Sequence, residues 1–345
     1  MSMRNVVRAA RRSGAIAFTT GLALAGLYGG LPAAQAATAR LHTTGTVYLS
    51  QGSNSLSRDF TEAPNRAVYY SRGSSVYVVK GTSAPKLVLR AHGNVLALAA
   101  DSSELFADVG LTVTAYRLPS GTEVRHWTLS SPFAVTSAGL FAVGSVVWAW
   151  TDWATDASGL EYANVSRFSA SSATVHKVST GIAYPMYLAA DASGLYYQAV
   201  RSDGSNGYLV HVTPSGSARQ VIDTNIPGPL ALASGRVALL APHYTSGPTS
   251  YYIDSYNATS LARVFSRHVS TADVDLAGTG AGLLMLTAPC QTRVCASATV
   301  SQLSTATGAA ISTVSVPYAV DLVVGPSAAV VSFRSGKYYL VRLAG

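Results

Sequence analysis

The sequence predicts an all-β protein built as a seven-bladed β-propeller. Three observations lead to this prediction: frequent turn residues, a strand–turn–strand pattern that recurs along the chain, and an odd strand at each end of that series. Short runs of β-branched and aromatic residues are broken by Gly, Ser, Asn or Pro every 8 to 12 residues. No long segment has the 3.6-residue period of an amphipathic helix. Together these features are typical of a protein made of short strands.

The recurring unit is an apolar strand, a tight Ser/Gly turn and a second apolar strand. Each unit continues with a polar turn between a third and a fourth strand, as at 114–129, 208–222 and 298–314. The units repeat with a period of about 44 residues, and four strands at this period predict one propeller blade. The first apolar residue after each turn marks the units at Val68, Leu105, Leu140, Leu195, Val237, Leu283 and Val330.

The two ends of the series predict how the ring closes. The last unit contains only three strands before Gly345, whereas residues 43–51 (TTGTVYLSQ) form a strand that belongs to no unit. We expect this N-terminal strand to complete the seventh blade, because the pairing removes two exposed sheet edges. A β-sandwich or a pair of smaller barrels would explain neither the sevenfold recurrence nor the odd strands.

The first 36 residues have the pattern of a secretory signal peptide. A basic segment (Arg4–Arg12) precedes an apolar stretch (Ala15–Leu27), and small residues follow at Ala34–Ala36. The apolar stretch is interrupted and falls short of the roughly 20 residues that a membrane span needs. The sequence therefore predicts a secreted, extracellular protein without a membrane span, whose residues 37–345 form one domain.

The charge balance does not indicate nucleic-acid binding. The whole chain contains 24 Lys and Arg against 16 Asp and Glu, for a formal net charge of +8. Four of the arginines lie in the leader, so the remaining residues carry a charge of only +4.

Cys290 and Cys295 are the only cysteines of the chain. An exported protein meets an oxidising environment, so we expect them to form a disulfide that closes a short local loop. A zinc site would need more ligands, and a redox pair usually has two residues between its sulfurs.

One segment resembles a known family. Residues 59–79 (DFTEAPNRAVYYSRGSSVYVV) are similar to the repeat of TolB-type propellers, in which a turn like Phe-Ser-Pro-Asp-Gly leads into a Tyr-rich strand. The segment departs from that pattern at Thr61–Ala63. The resemblance covers one blade and implies the fold but no function. The alanine-rich, lysine-poor composition is similar to that of secreted actinobacterial proteins.

Motifs of the common catalytic chemistries are absent from the sequence. It contains no Gly-x-Ser-x-Gly, no His-Glu-x-x-His and no phosphate-binding loop ending in Lys-Ser/Thr. We therefore expect a protein without a cofactor, and a non-catalytic role is favoured over an enzymatic one.

The strongest candidate for ligand contact is the segment 147–162 (VWAWTDWATDASGLEY), predicted as an enlarged loop. It contains Trp148, Trp150 and Trp153 together with Asp152 and Asp156. Indoles beside carboxylates suit a sugar, because the rings stack on its C–H faces while the acids bind its hydroxyls. Alternatively, Trp148 and Trp150 lie two residues apart on a strand and pack against the next blade.

The longest predicted connections lie on one face of the ring. The second and third strands of blades three to six are joined by 151–161, 201–207, 242–250 and 289–295, and the connections 180–185 and 223–229 between blades lie beside them. We expect this rim to bind the ligand, with Tyr184 and Tyr244 among the contacts. Neutral variation in loop length is the alternative.

Three aspartates form a candidate site in the central channel. Asp59, Asp275 and Asp321 lie at similar distances before their repeat markers, on the innermost strands of three adjacent blades. Such carboxylates would bind a cation or act as an acid and a base. Alternatively, they accept hydrogen bonds from the backbone of the neighbouring blade.

From these features we expect a secreted recognition module that binds a glycan or another cell-surface ligand through the rim of blades three to six. The main rival is a secreted carbohydrate-active hydrolase or lyase with acids at the channel mouth. A third interpretation is a lectin-like targeting subunit that joins another secreted protein in an extracellular assembly or toxin particle.

Overall fold

A computed structural model shows seven four-stranded antiparallel sheets and confirms the all-β propeller. No helix occurs among the described residues. The leader predicted at 1–36 lies outside them. The structure describes residues 40–51, 60–131, 135, 137–154, 161–169, 172, 174–183, 185–200, 207–224, 228–243, 250–270, 274–279, 282–288, 295–323 and 325–344.

The first four blades each contain four consecutive strands. Blade 1 contains β2 (Phe60–Glu62), β3 (Val68–Arg72), β4 (Ser75–Val79) and β5 (Lys86–Arg90). Blade 2 contains β6 (Ala97–Ala100), β7 (Glu104–Val109), β8 (Thr112–Arg117) and β9 (Thr122–Thr128). Blade 3 contains β10 (Ser137–Val143), β11 (Val146–Ala154), β12 (Glu161–Ser169) and β13 (Val175–Ala183). Blade 4 contains β14 (Pro185–Asp191), β15 (Gly194–Val200), β16 (Gly207–Val212) and β17 (Ala218–Thr224).

The remaining blades follow the same order, except that the last one combines both ends of the chain. Blade 5 contains β18 (Leu230–Ala233), β19 (Arg236–His243), β20 (Ser250–Asn257) and β21 (Arg263–Val269). Blade 6 contains β22 (Val274–Thr279), β23 (Gly282–Thr287), β24 (Thr299–Leu303) and β25 (Ala310–Ser315). Blade 7 contains β26 (Ala319–Val323), β27 (Ala328–Arg334), β28 (Lys337–Ala344) and β1 (His42–Gln51).

The first strand of every blade contacts the first strand of the next, and β26 contacts β2. These strands therefore form the inner wall of a closed ring. The N-terminal strand β1 pairs with β28 from His42 opposite Ala344 to Gln51 opposite Lys337, so it is the outer strand of blade 7. This pairing confirms the predicted closure, in which the two ends of the chain share one sheet.

The apolar core lies between the blades. Buried apolar side chains of the described residues form seven clusters, one between each pair of neighbouring blades. The sequence of β27 is continuously apolar because its two sides face different blades. Ala328 and Val330 face blade 6, whereas Ala329 and Val331 face blade 1. Since successive side chains point to opposite faces, a strand between two blades needs apolar residues at every position.

The two faces of the ring differ in the connections that they carry. The face on which the second and third strands of each blade are joined is called the upper face. In blades 1, 2 and 7 these strands are joined by two residues, and in blades 3 to 6 by longer segments, which confirms the predicted contrast. The short turns are 73–74, 110–111 and 335–336, and the longer segments are 155–160, 201–206, 244–249 and 288–298.

The predicted start of blade 3 was wrong. Leu140, taken from the sequence as the first residue of a second strand, lies within the first strand, β10. The turn is at Gly144, which has a φ of 58°. Val147 therefore occupies the equivalent position, 42 residues after Leu105 and 48 before Leu195. With this correction, the distances from the marker of blade 3 to its two neighbouring markers are close to the period of about 44 residues.

Candidate functional site

Two of the three predicted tryptophan contacts are core residues. Trp148 and Trp150 have exposed fractions of 1% and 4%, and they pack against Leu188, Leu195 and Tyr197 of blade 4. The rings of Trp150 and Tyr197 are 5.9 Å apart between centroids. These indoles have no free surface for a ligand, so their assignment as ligand contacts was wrong, and the packing alternative is correct.

Trp153 lies in a strand and not in a loop as predicted. The strand β11 continues through Asp152 and Trp153 to Ala154, and Trp153 pairs with Tyr162 in β12. The inner strand β10 ends its pairing with β11 at Ser137, opposite Asp152. The hairpin of β11 and β12 therefore extends beyond the inner strand on the upper face. Only the backbone of Asp152 and Trp153 is described.

Several predicted residues lie outside the described part of the chain. They are Asp59, Asp156, Tyr184, Tyr244 and Cys290. The partner cysteine, Cys295, is fully buried, and its Sγ lies 3.4 Å from the Oγ of Ser297. The disulfide between the two cysteines remains a prediction.

Asp275, one of the predicted channel aspartates, interacts with the backbone. The Asp275 carboxylate accepts a hydrogen bond from the N–H of Leu276 at 2.9 Å and from the N–H of Leu322, in the next blade, at 3.4 Å. Asp321 is buried, with an exposed fraction of 3%. The contacts of Asp275 match the structural alternative, in which the carboxylate links neighbouring blades.

The electrostatic effect of Asp275 extends to blade 4. Burial raises the pKa of the Tyr187 hydroxyl, and the negative charge of Asp275 raises it further. Among the described residues no group of three or more His, Cys, Asp or Glu side chains is arranged to hold a metal ion. Both effects on the pKa keep the Tyr187 hydroxyl protonated at ordinary pH.

A polar cluster that the sequence analysis missed joins blade 7 to blade 1 on the lower face. The buried Glu62, at the end of β2, accepts hydrogen bonds from the backbone N–H of Ser327 at 2.8 Å and from the Ser327 hydroxyl. Arg342, in β28, approaches the same carboxylate with Nη1 at 3.5 Å. A side chain at Gly325 would overlap Glu62, so only glycine allows this close approach.

Arg342 binds three backbone carbonyls of blade 1 in addition to Glu62. Its Nε donates to the carbonyl of Gly81 at 2.7 Å. Its Nη2 donates to the carbonyls of Arg66 at 3.2 Å and Val79 at 3.3 Å. All three nitrogens of the guanidinium group therefore link the last blade to the first, in a planar geometry that lysine would not reproduce.

The same junction contains a cavity of about 680 Å³. We call it the seam cleft. Its wall combines basic and neutral polar side chains with main-chain and small apolar groups. The lining residues are Thr44, Asn65, Arg66, Ala67, Lys80, Gly81, Ser327, Arg342, Leu343 and Ala344.

One sequence signal could have indicated this cluster. Arg342 is a charged residue within an otherwise apolar and aromatic strand, YYLVRLAG, and Glu62 is followed by the apolar pair Ala63 and Pro64. Charged side chains at such positions are usually paired when the strand is buried. The sequence does not show that the two residues pair with each other, since 280 positions separate them.

Within the described residues, no helix is long and apolar enough to cross a membrane. No protein-family model matches the chain, and no curated protein matches it.

Solved structures with the same architecture do match. An oligogalacturonate lyase in complex with manganese has a TM-score of 0.57 and 12% sequence identity, over 89% of this chain and 98% of that chain. Hsv2 of Kluyvelomyces marxianus has a TM-score of 0.54 and 10% identity, over 85% and 98% of the two chains. Sqt1 of Saccharomyces cerevisiae has a TM-score of 0.51 and 10% identity, over 87% and 98%. At these identities the likeness shows the propeller fold alone.

Proposed function

We propose that this protein is a secreted, non-catalytic recognition module that binds a glycan or another cell-surface ligand through the upper face of blades 3 to 6. The supporting observation is that the connections on the upper face differ in length between blades. Four consecutive blades carry segments of six residues or more between their second and third strands, whereas blades 1, 2 and 7 carry two-residue turns. Enlarged connections on adjacent blades of a rigid ring are the usual place for ligand contacts.

The hairpin of β11 and β12 gives this surface its most specific feature. Its last pairs, Trp153 with Tyr162 and Ala154 with Glu161, lie beyond the end of the inner strand. A tryptophan and a tyrosine whose backbones pair beyond the end of the inner strand suit contact with a sugar ring, because aromatic faces stack on its C–H groups. We therefore retain Trp153, with Asp152 and Asp156, as the proposed ligand contacts.

The enzymatic alternative has less support. A hydrolase or lyase with acids at the channel mouth needs carboxylates that are free to exchange protons with a substrate. Both carboxylate oxygens of Asp275 accept backbone hydrogen bonds, one of them from the next blade. A role as a targeting subunit in a larger extracellular assembly remains a proposal that depends on the fold. The relationship of blade 1 to TolB-type repeats remains a proposal that depends on the segment 59–79.

The test is to apply the protein without residues 1–36 to a glycan array and to analyse every bound glycan for turnover. For a glycan that binds, Trp153→Ala should weaken binding by about 1–3 kcal/mol, the range of a stacking anchor. Tyr48→Ala is the matched control, because Tyr48 is an aromatic residue of blade 7 with an exposed fraction of 47%. Equal affinity of the Trp153 variant and the wild type would refute this contact, and turnover lost in Asp275→Asn would favour the enzyme.

A further inference from the structure

The seam cleft has the dimensions of a ligand site on the face opposite to the proposed rim. Its volume of about 680 Å³ lies within the range of pockets that hold small molecules. It opens between connections of blade 1, at 65–67 and 80–81, and the outer strands of blade 7. The outer wall is formed by β1, in which a bulge between Thr43 and Gly45 directs Thr44 toward the cleft.

The cleft has an unbalanced positive charge. Three basic residues line it, Arg66, Lys80 and Arg342, and no acidic residue does. The charge of Arg342 is matched by the buried Glu62. The side chains of Arg66 and Lys80 form neither an ion pair nor a hydrogen bond with any described residue, and both residues are exposed. Within the described part of the chain, the side chains of Arg66 and Lys80 thus remain available to an anionic ligand.

The backbone holds Arg66 in a strained conformation at the edge of the cleft. Its φ is 63°, in the left-handed region that glycine and asparagine adopt more easily than arginine. Its N–H donates to the carbonyl of Ala63 at 2.8 Å, and its carbonyl accepts from Arg342 at 3.2 Å. These main-chain contacts fix the backbone of Arg66 at the edge of the cleft.

The neutral polar groups of the cleft are suited to hydroxyl groups. The hydroxyls of Thr44 and Ser327 already donate to the carbonyl of Arg342 and to Glu62, so their oxygens can accept further bonds. The Asn65 Oδ1 accepts from the N–H of Ala67 at 3.0 Å, which leaves the amide NH₂ to donate. No aromatic side chain lines the cleft, so nothing there would stack on a nucleobase.

We propose that the seam cleft binds an acidic sugar, whose carboxylate or sulfate group is held by Arg66 and Lys80 while its hydroxyls bond to Thr44 and Asn65. This site lies on the lower face, away from the proposed contacts on the upper face, so we expect ligand binding at the two sites to be independent. Charge-assisted hydrogen bonds from Arg66 and Lys80 give the cleft its preference for an anionic ligand.

The test compares oligosaccharides that differ only in charge. Cello-oligosaccharides, their C6-oxidised derivatives and their 6-O-sulfated derivatives are titrated into the protein by calorimetry. We expect one charged series to bind and the neutral series to bind at least about tenfold more weakly. The series that binds identifies the anionic group. Arg66→Asn and Lys80→Gln should each weaken binding about tenfold, and the double variant should abolish it.

The variants preserve the fold by design. Asparagine tolerates the positive φ of Arg66, and Lys80 has no side-chain partner to lose. Lys177→Gln, an exposed lysine in β13 of blade 3, is the matched control and should bind like the wild type. Thermal melting verifies that each variant is folded; if Arg66→Asn does not fold, Lys80→Gln alone decides the outcome.

Three results would overturn the proposal: no binding of either charged series at millimolar concentration, equal binding of the neutral series, or undiminished binding by the double variant. Trp153→Ala should leave the binding of acidic cello-oligosaccharides unchanged. Failure of the seam-cleft proposal is thereby distinguished from failure of the proposed function, which depends on the upper face.

Discussion

Glu62 is a buried carboxylate whose environment stabilises and destabilises its charge at the same time. Burial raises the pKa of the Glu62 carboxyl above 4.5, although the hydrogen bonds from Ser327 and the charge of Arg342 lower it. The balance means that removal from water outweighs these partners. The contacts that join blade 1 to blade 7 therefore include a charge that the folded protein holds at a cost.

This cost predicts a pH dependence of stability. A carboxyl whose pKa is raised on folding binds its proton more tightly in the folded state, so its contribution to stability grows as the pH falls toward 4.5. Glu62→Gln keeps the shape of the side chain but does not titrate. We expect the melting temperature of the wild type, relative to Glu62→Gln, to rise as the pH is lowered from neutral toward 4.5. A difference that is constant with pH, or that falls, would contradict the raised pKa.

Two glycines of blade 3 show why the turn between its first two strands could not be located from the local sequence. The segment 137–145 contains Gly139 and Gly144, each beside a serine or a small residue. Gly144 forms the turn with a φ of 58°, whereas Gly139 lies in β10 opposite the bulky Trp150. A glycine within a strand and a glycine that permits a positive φ at a turn look the same in the sequence.

At the scale of the strand, β1 closes the ring by pairing with β28. Its residues alternate between the junction with blade 1 and the opposite side of the sheet: Val47 and Leu49 are buried among residues of blades 7 and 1, whereas Thr46 and Tyr48 are exposed. The sequence predicted this role because residues 43–51 form a strand that belongs to no unit and the C-terminal unit contains only three strands. The pairing of β1 with the last blade could be predicted by counting the strands in each unit, without knowledge of any contact.

Adjacent residues of β1 provide a matched pair of variants. Val47→Asp places a charge in the apolar cluster between blades 7 and 1 and should reduce the free energy of unfolding by about 3 kcal/mol or more. Thr46→Asp places the same charge on the exposed side and should change it by about 0.5 kcal/mol or less. Urea unfolding monitored by tryptophan fluorescence measures both. Similar effects of the two substitutions would show that β1 does not pair in this register.

At the scale of the whole molecule, the ring gives one chain two different faces and one junction between its ends. The repeat, the number of blades and the position of the long connections could be predicted, because they depend on spacing along the sequence. The cluster of Glu62, Ser327 and Arg342 could not, because it forms only when the first and last blades meet. The sequence left two roles open for Trp148, stacking on a sugar or packing against the next blade, because the same residue type suits both; the structure shows the packing.

The central claim is that the upper face of blades 3 to 6 binds the ligand. Hydrogen–deuterium exchange of the protein, with and without the glycan that binds most tightly on the array, tests it directly. We predict slower exchange in peptides from the hairpin of β11 and β12 and from the upper ends of β19 and β20, while the turns at Gly73, Gly110 and Gly336 remain unchanged. Protection confined to those three turns or to the lower face, or the absence of any bound glycan, would contradict the claim.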